Sequence, residues 1–164
     1  MIVRQERAEE KTAIALVHER AFGRRDEARI VDEVRATPAF VPELSVVAEE
    51  DGRVIGHVLL SYTQLEDRQV LLLGPIGVLP ERQGQGIGSA LVREGLRLAD
   101  ERGEPVVVLE GDPAYYSRFG FRLAAELGIE APPGAPQQYF QARPLASYSP
   151  ELRGRVTYPL AFRQ

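Results

Sequence analysis

The residues Gln83-Gly84-Gln85-Gly86-Ile87-Gly88 stand between an apolar run and a segment of helical spacing, an arrangement suited to holding an anion. A glycine-rich turn at a helix N-terminus leaves backbone N–H groups outside the helix's own ladder. They aim one way and are backed by the positive end of the helix dipole. Glycine serves there because a side chain would hold a phosphate away from the backbone, and because tight turns use positive φ. The run before the turn, Val70-Leu71-Leu72-Leu73-Gly74-Pro75-Ile76-Gly77-Val78, reads as a strand closed by Pro80. After the turn, Ala90, Leu91, Gly95, Leu96, Leu98 and Ala99 follow helical spacing. The expected ligand carries phosphate, held by the backbone from about Gln83 to Ser89 with the Ser89 hydroxyl in support. Arg82 either reaches a phosphate or is a solvated charge.

Composition removes several other chemistries. The chain has no cysteine, which excludes disulfides, thiolate catalysis and thiolate metal sites. His18 and His57 are far apart in sequence and no carboxylates cluster at ligand spacing, so no metal site is expected. A net charge of −4 gives no general attraction to nucleic acid or to an anionic membrane. Lys11 is the only lysine among the 20 basic residues, a compositional bias rather than a functional signal. The N-terminus runs straight into charged sequence and no apolar stretch is long enough to span a bilayer, so a cytoplasmic protein is expected.

The elements that must position the glycine turn form one mixed α/β domain over residues 1–164. Residues 2–6 suit a short strand. Ala8 to Phe22 follows an amphipathic helical pattern ending near Gly23, with His18 expected at its surface. Asp26 to Arg35 repeats that pattern and stops before Pro38. Leu44–Glu49 and Arg53–Tyr62 read as strands joined by Asp51-Gly52, a hairpin signal. Residues 69–79 form the next strand, antiparallel across Gln64–Arg68. Gly74-Pro75 inside it predicts a bulge or splay, because proline cannot donate to a ladder. A helix then runs to about Arg102 with Gly103 as its stop, followed by a buried strand at Pro105–Leu109. Pro113–Phe119 reads as a short helix capped by Asp112. Residues 137–145 and 155–162 are two further strand-like runs.

Two nucleotide readings of the turn fail. A P-loop needs lysine after its glycines, and Ser89-Ala90 follows Gly88. A Rossmann turn needs a third glycine and a parallel βαβ unit, whereas Ser89 and antiparallel strands are found instead, although Glu110 would fit the expected acid. The stretch Val78-Leu79-Pro80-Glu81-Arg82-Gln83-Gly84-Gln85-Gly86-Ile87-Gly88 instead resembles the acetyl-coenzyme A signature of the GNAT superfamily of N-acetyltransferases, with Gln83, Gly86 and Gly88 at its specified positions. Ala114-Tyr115-Tyr116-Ser117-Arg118-Phe119-Gly120-Phe121 resembles a later motif of that superfamily. Together with the C-terminal Gly154–Phe162 it is most similar to a bacterial subgroup, the YhbS-like predicted acetyltransferases. The resemblance covers nearly the whole chain and weakens over 123–150.

The resemblance implies an α+β fold: a mixed, mainly antiparallel sheet splayed at its centre, with helices on both faces. It implies direct transfer of an acetyl group from acetyl-coenzyme A to a primary amine, with no metal. In that frame Arg82, Gln83, Gly84, Gln85, Gly86, Ile87, Gly88 and Ser89 hold the pyrophosphate, while Ile76, Gly77 and Val78 pair with the pantetheine arm. Tyr116 protonates the leaving thiolate, a role that suits a phenol neutral at pH 7. Tyr115 is assigned to packing or substrate contact, and Phe119 and Phe121 to the core. Residues 70–79 hold no acid, so the general base is open among Glu110, Asp112, His57 and water. Other readings are an acyl-coenzyme A sensor without turnover and an acetyltransferase of protein N-termini or lysines. The acceptor, the length of the acyl group and a homodimer are left open.

Overall fold

The computed structural model describes residues 1–163. In chain order the elements are β1 (Ile2–Gln5), α1 (Lys11–Phe22), α2 (Asp26–Arg35), β2 (Ser45–Glu50), β3 (Arg53–Leu65), β4 (Arg68–Val78), α3 (Ile87–Glu101), β5 (Val106–Glu110), α4 (Pro113–Tyr116), β6 (Arg122–Leu123), β7 (Ile129–Glu130), β8 (Phe140–Pro144) and β9 (Gly154–Thr157). The chain folds as two compact units. The first comprises Met1–Ser61 and Gly74–Leu98; the second comprises Tyr62–Leu73 and the chain from Ala99 onward. Strands β3 and β4 have residues in both. Pairing is mixed and mainly antiparallel, the architecture the resemblance implies.

In the first unit β1 pairs with β2 and β2 with β3, both antiparallel, and β3 neighbours β4. Helix α1 ends where the glycine signal predicts: Gly23 has φ 68° and its N–H donates to Glu19 O at 2.9 Å. Residues Ala8–Glu10, expected as the first helical turn, instead form a separate 3-10 turn. Ile14 and Val17 of α1 and Ala28, Val31 and Val34 of α2 are buried. Neighbouring residues of β3 face opposite sides, which places a helix on each. On one side a Cβ at Gly56 would lie 3.0 Å from Leu91 and 3.2 Å from Ile87, both of α3. On the other side His57 meets His18 of α1. This two-sided cover explains why Val46, Val47 and Ala48 of β2 are buried without alternation.

His18 is fully buried, contrary to the surface position expected from its polarity. It joins a buried polar chain. Arg35 donates to Glu6, the Ser45 hydroxyl donates to Glu6, Ser45 Oγ lies 2.8 Å from His57 Nε2, and His57 Nδ1 lies 2.8 Å from His18 Nε2. The direction of every proton follows from the carboxylate end. Glu6 only accepts, so Ser45 donates to it and accepts from His57 Nε2–H. His57 Nδ1 is then an acceptor, and His18 Nε2–H is its donor. Burial pushes the His18 imidazole down to about 4, with the Glu27 charge partly opposing. Burial also drives His57 well down, helped by His18 and Arg35. Both rings are neutral at pH 7.

The second unit is built around Val70 and Leu72 of β4, Val106 and Val108 of β5, and Phe140, Ala142, Leu152 and Val156. Here β5 pairs antiparallel with β8, and β8 with β6. The parallel β4–β5 pairing covers two rungs, Leu71 with Val107 and Leu72 with Val108. Strand β3 runs past the expected end at Tyr62 to Leu65, because β9 pairs with Gln64 and Leu65. The connection to β4 therefore shrinks from Gln64–Arg68 to Glu66 and Asp67. The two C-terminal strand-like runs are only half strand: Gln137–Tyr139 and Leu160–Phe162 are 3-10 turns that follow Pro136 and Pro159, which cannot donate to a ladder.

The buried histidines make stability depend on pH. Well above a pH of about 6.5 neither the folded nor the unfolded imidazole binds a proton, so stability is at its plateau. As pH falls from there toward about 4, the unfolded chain binds protons that folded His18 refuses, and stability declines. The expected slope is about 1.4 kcal/mol per pH unit for each histidine so held. Urea denaturation across that window reads the slope, and a flat profile would show that the rings are not held neutral.

Candidate functional site

The glycine turn begins at the end of β4. Leu79 N–H donates to Ile55 O at 2.9 Å, tying the exit of β4 to β3, and Pro80–Arg82 make one 3-10 turn. The Gln83 side chain folds back, with Nε2 donating to Val78 O at 3.0 Å. Gly84 and Gly86 both take positive φ, 75° and 81°, which accounts for glycine at these two positions. The first rung of α3 is Ala90 N–H to Gly86 O at 3.1 Å. The amides of Gly86, Ile87 and Gly88 precede that rung and are therefore aimed out of the helix N-terminus, where the dipole favours an anion.

Arg82 has definite partners. Its Nη2 pairs with Glu50 Oε2 at 2.8 Å and its Nε donates to Gln85 Oε1 at 3.1 Å. The guanidinium braces the turn through Gln85 while Glu50 shares its charge. Glu81 on the same turn bridges Arg20 and Arg53, at 2.9 and 3.2 Å. Upstream, Ile76, Gly77 and Val78 form the last part of β4. Gly77 lies against α1 so closely that a Cβ there would stand 2.9 Å from His18 Nδ1 and 3.3 Å from Ala21. Gly74-Pro75, expected as a bulge or splay, is a cis peptide within a continuous strand, with Gly74 at φ 140°.

The tyrosine motif lies in the second unit. Asp112 caps α4 as expected, its Oδ1 accepting from Ala114 N–H at 2.9 Å. Tyr116 lies edge-on to Tyr115 and Phe121, with ring centroids 4.9 and 5.9 Å apart. Its ring also covers Gly111, where a Cβ would approach Cε2 to 2.5 Å. Burial, with a smaller contribution from Tyr115, raises the Tyr116 phenol above its ordinary range, so it carries its proton at neutral pH. Tyr115 is occupied by packing: it meets Phe119 edge-on and the Arg118 guanidinium sits 4.5 Å over its ring. Phe119 and Phe121 are buried.

The geometry separates the expected base candidates. His57 is sealed, with both ring nitrogens in hydrogen bonds. Asp112 is engaged as a helix cap. Glu110, at the end of β5, is exposed and accepts from the Tyr158 hydroxyl at 2.9 Å. No motif or spacing in the sequence points to Tyr158 as its partner. Among the described residues no group of three or more His, Asp or Glu could hold a metal ion, and no helix is long and apolar enough to cross a membrane.

Comparison with known proteins identifies the fold as that of an acetyltransferase. The profile of the acetyltransferase (GNAT) family matches residues 11–121, and the chain belongs to that family. Its relatives include the Escherichia coli N-acetyltransferase YhbS, 35% identical over 148 residues, covering 89% of this chain and 88% of that protein. The crystal structure of YhbS in complex with CoA superposes with a TM-score of 0.90 at 33% identity, over 99% of this chain and 92% of that one. A GNAT acetyltransferase of Brucella melitensis in complex with acetyl-CoA matches with a TM-score of 0.82 at 38% identity, over 98% and 97% of the two chains.

The contact between α1 and β4 is open to a direct test. Gly77→Ala should lower stability by roughly 1–3 kcal/mol, the range for overpacking. In a His18→Ala background the same change should cost less, giving a coupling of about 0.5 kcal/mol or more by urea denaturation of the double-mutant cycle. Strict additivity would show that the His18 ring does not set the position of β4.

Proposed function

We propose that this chain moves the acetyl group of acetyl-coenzyme A directly to a primary amine in the cytoplasm, with residues 1–164 acting as one catalytic domain. The observation that carries the reading is the outward-aimed amide array at the start of α3, behind two positive-φ glycines. Coenzyme A and acetyl-coenzyme A complexes of the matched structures support it. In this reading the backbone of Gln83, Gly84, Gln85, Gly86, Ile87, Gly88 and Ser89 holds the pyrophosphate, with Arg82 steadying Gln85. Ile76, Gly77 and Val78 offer backbone groups to the amide-bearing pantetheine arm, as in strand addition.

Tyr116 is the proposed acid. As the amine nitrogen bonds to the acetyl carbon the C–S bond breaks, and the phenol gives its proton to the departing thiolate. A phenol held in its protonated form by burial fits that task. Positioning of the thioester and the amine supplies most of the acceleration.

Isothermal titration with acetyl-coenzyme A should give a Kd on the order of micromolar, about −8 kcal/mol. Gly86→Glu should abolish binding by setting bulk and negative charge against phosphate. Gly86→Ala carries the same positive-φ strain without the charge, about 1–2 kcal/mol, and should bind measurably. Equal loss in both variants would point to strain rather than to a phosphate site. Tyr116→Phe should cut turnover by about 100-fold or more while sparing cofactor affinity; unchanged turnover removes Tyr116 as the acid.

A further inference from the structure

The second unit contains a cavity of about 560 Å³ lined by Glu110, the 132–135 turn, Thr157, Tyr158, Phe162 and Arg163. That size suits a small molecule. Its charges are organised by one residue. The Tyr158 hydroxyl donates to Glu110 Oε1 at 2.9 Å, and the Tyr158 carbonyl accepts from Arg163 Nε at 2.7 Å. A carboxylate and a guanidinium are thus fixed at the two ends of a single tyrosine. The tyrosine itself is wedged between Phe140 and Phe162, with ring centroids 6.4 and 6.0 Å away.

Chain connectivity links the cavity to the tyrosine motif within the same unit. Glu110 is followed by Gly111, whose carbonyl accepts from Gln141 Nε2 at 2.9 Å and whose N–H donates to Tyr139 O at 3.0 Å. The Tyr116 ring lies on that glycine. The carboxylate of the cavity and the phenol of α4 therefore flank one pinned residue.

We propose that this cavity is the acceptor pocket and that its substrate is a small amino carboxylate, its ammonium on Glu110 and its carboxylate on Arg163. This rests on the acetyl-coenzyme A reading above. An ion pair at each end favours a zwitterion, because a ligand carrying one charge makes only one of the two charge-assisted contacts. Both charges line one cavity, whose size limits how far apart the two ligand charges can lie. A protein N-terminus, whose carboxylate is far away, fits poorly. The proton balance closes: the ammonium gives one proton to Glu110, and the neutral amine nitrogen forms the bond to the acetyl carbon as the C–S bond breaks. Coenzyme A leaves as a thiol with the Tyr116 proton, and the new amide sheds its second proton, which restores Tyr116. Glu110 then returns its proton to solvent.

The test is thiol release from acetyl-coenzyme A with α-, β- and γ-amino carboxylates, their amides, and peptides. Amino carboxylates should exceed their amides in kcat/KM by about 10- to 100-fold, the effect of one charged hydrogen-bond partner. Arg163→Met should bring the carboxylates down to the level of the amides. Glu110→Gln should lower kcat/KM about tenfold or more for every acceptor, with acetyl-coenzyme A affinity by calorimetry and thermal melting both retained. Tyr158→Phe, which removes only the hydroxyl brace, should give a smaller loss in the same direction. Equal use of acids and amides, a preference that survives Arg163→Met, or faster transfer to peptides would overturn the proposal. Acetyl-coenzyme A binding with no transfer to any amino carboxylate overturns the acceptor and leaves the cofactor reading standing; absence of binding removes the cofactor reading itself.

Discussion

A backbone amide can serve a ligand only if the protein's own ladders do not already use it. That constraint shapes the first unit. Glycines at 84 and 86 turn the chain so that the leading amides of α3 point away from the helix. Glycine is entropically expensive to order, and the turn lasts only because both its ends are fastened. Leu79 hydrogen-bonds to β3, while α3 presses Ile87 and Leu91 against Gly56 of the same strand. Arg82, Glu81 and their partners brace the solvent side. In the proposed cofactor site recognition belongs to backbone, and side chains hold that backbone in place.

The buried polar chain from Arg35 to His18 plays a comparable role on the other face of β3. Ion pairs and imidazoles taken out of water add little net stability, but they have direction. A row of donors all pointing toward Glu6 admits one arrangement of α1, α2, β1, β2 and β3, where apolar contacts would admit several. It also ends on His18 Nδ1, against Gly77 of β4. The position of the strand proposed to pair with pantetheine is thereby referred to a chain that begins near the N-terminus.

Local signals in the sequence predict local structure well. The Gly23 stop, the bounds of α2 and the Asp112 cap each depend on a few neighbouring residues and appear as expected. The turns at Pro136 and Pro159 are equally local, yet the apolar runs around them imitate strands and mask the prolines. Partnerships across long separations are not legible. Arg82 gives no sign of Glu50, nor Glu110 of Tyr158, because ion pairs and phenol contacts leave no periodic trace. His18 is an intermediate case. It stands four residues after the buried Ile14, on the same helical face, so its spacing announces a burial that its polarity conceals.

The cationic side of the surface pairs named here is arginine: Arg4 with Glu10, Arg20 with Glu81, Arg82 with Glu50. A guanidinium stays protonated and is no nucleophile, whereas a lysine amine is a ready target of acylation. An acetyltransferase with Lys11 as its only lysine offers few amines of its own to a reactive thioester. These electrostatic braces therefore cannot be erased by stray acetylation, and a change such as Arg82→Lys would keep the charge while making the brace chemically perishable.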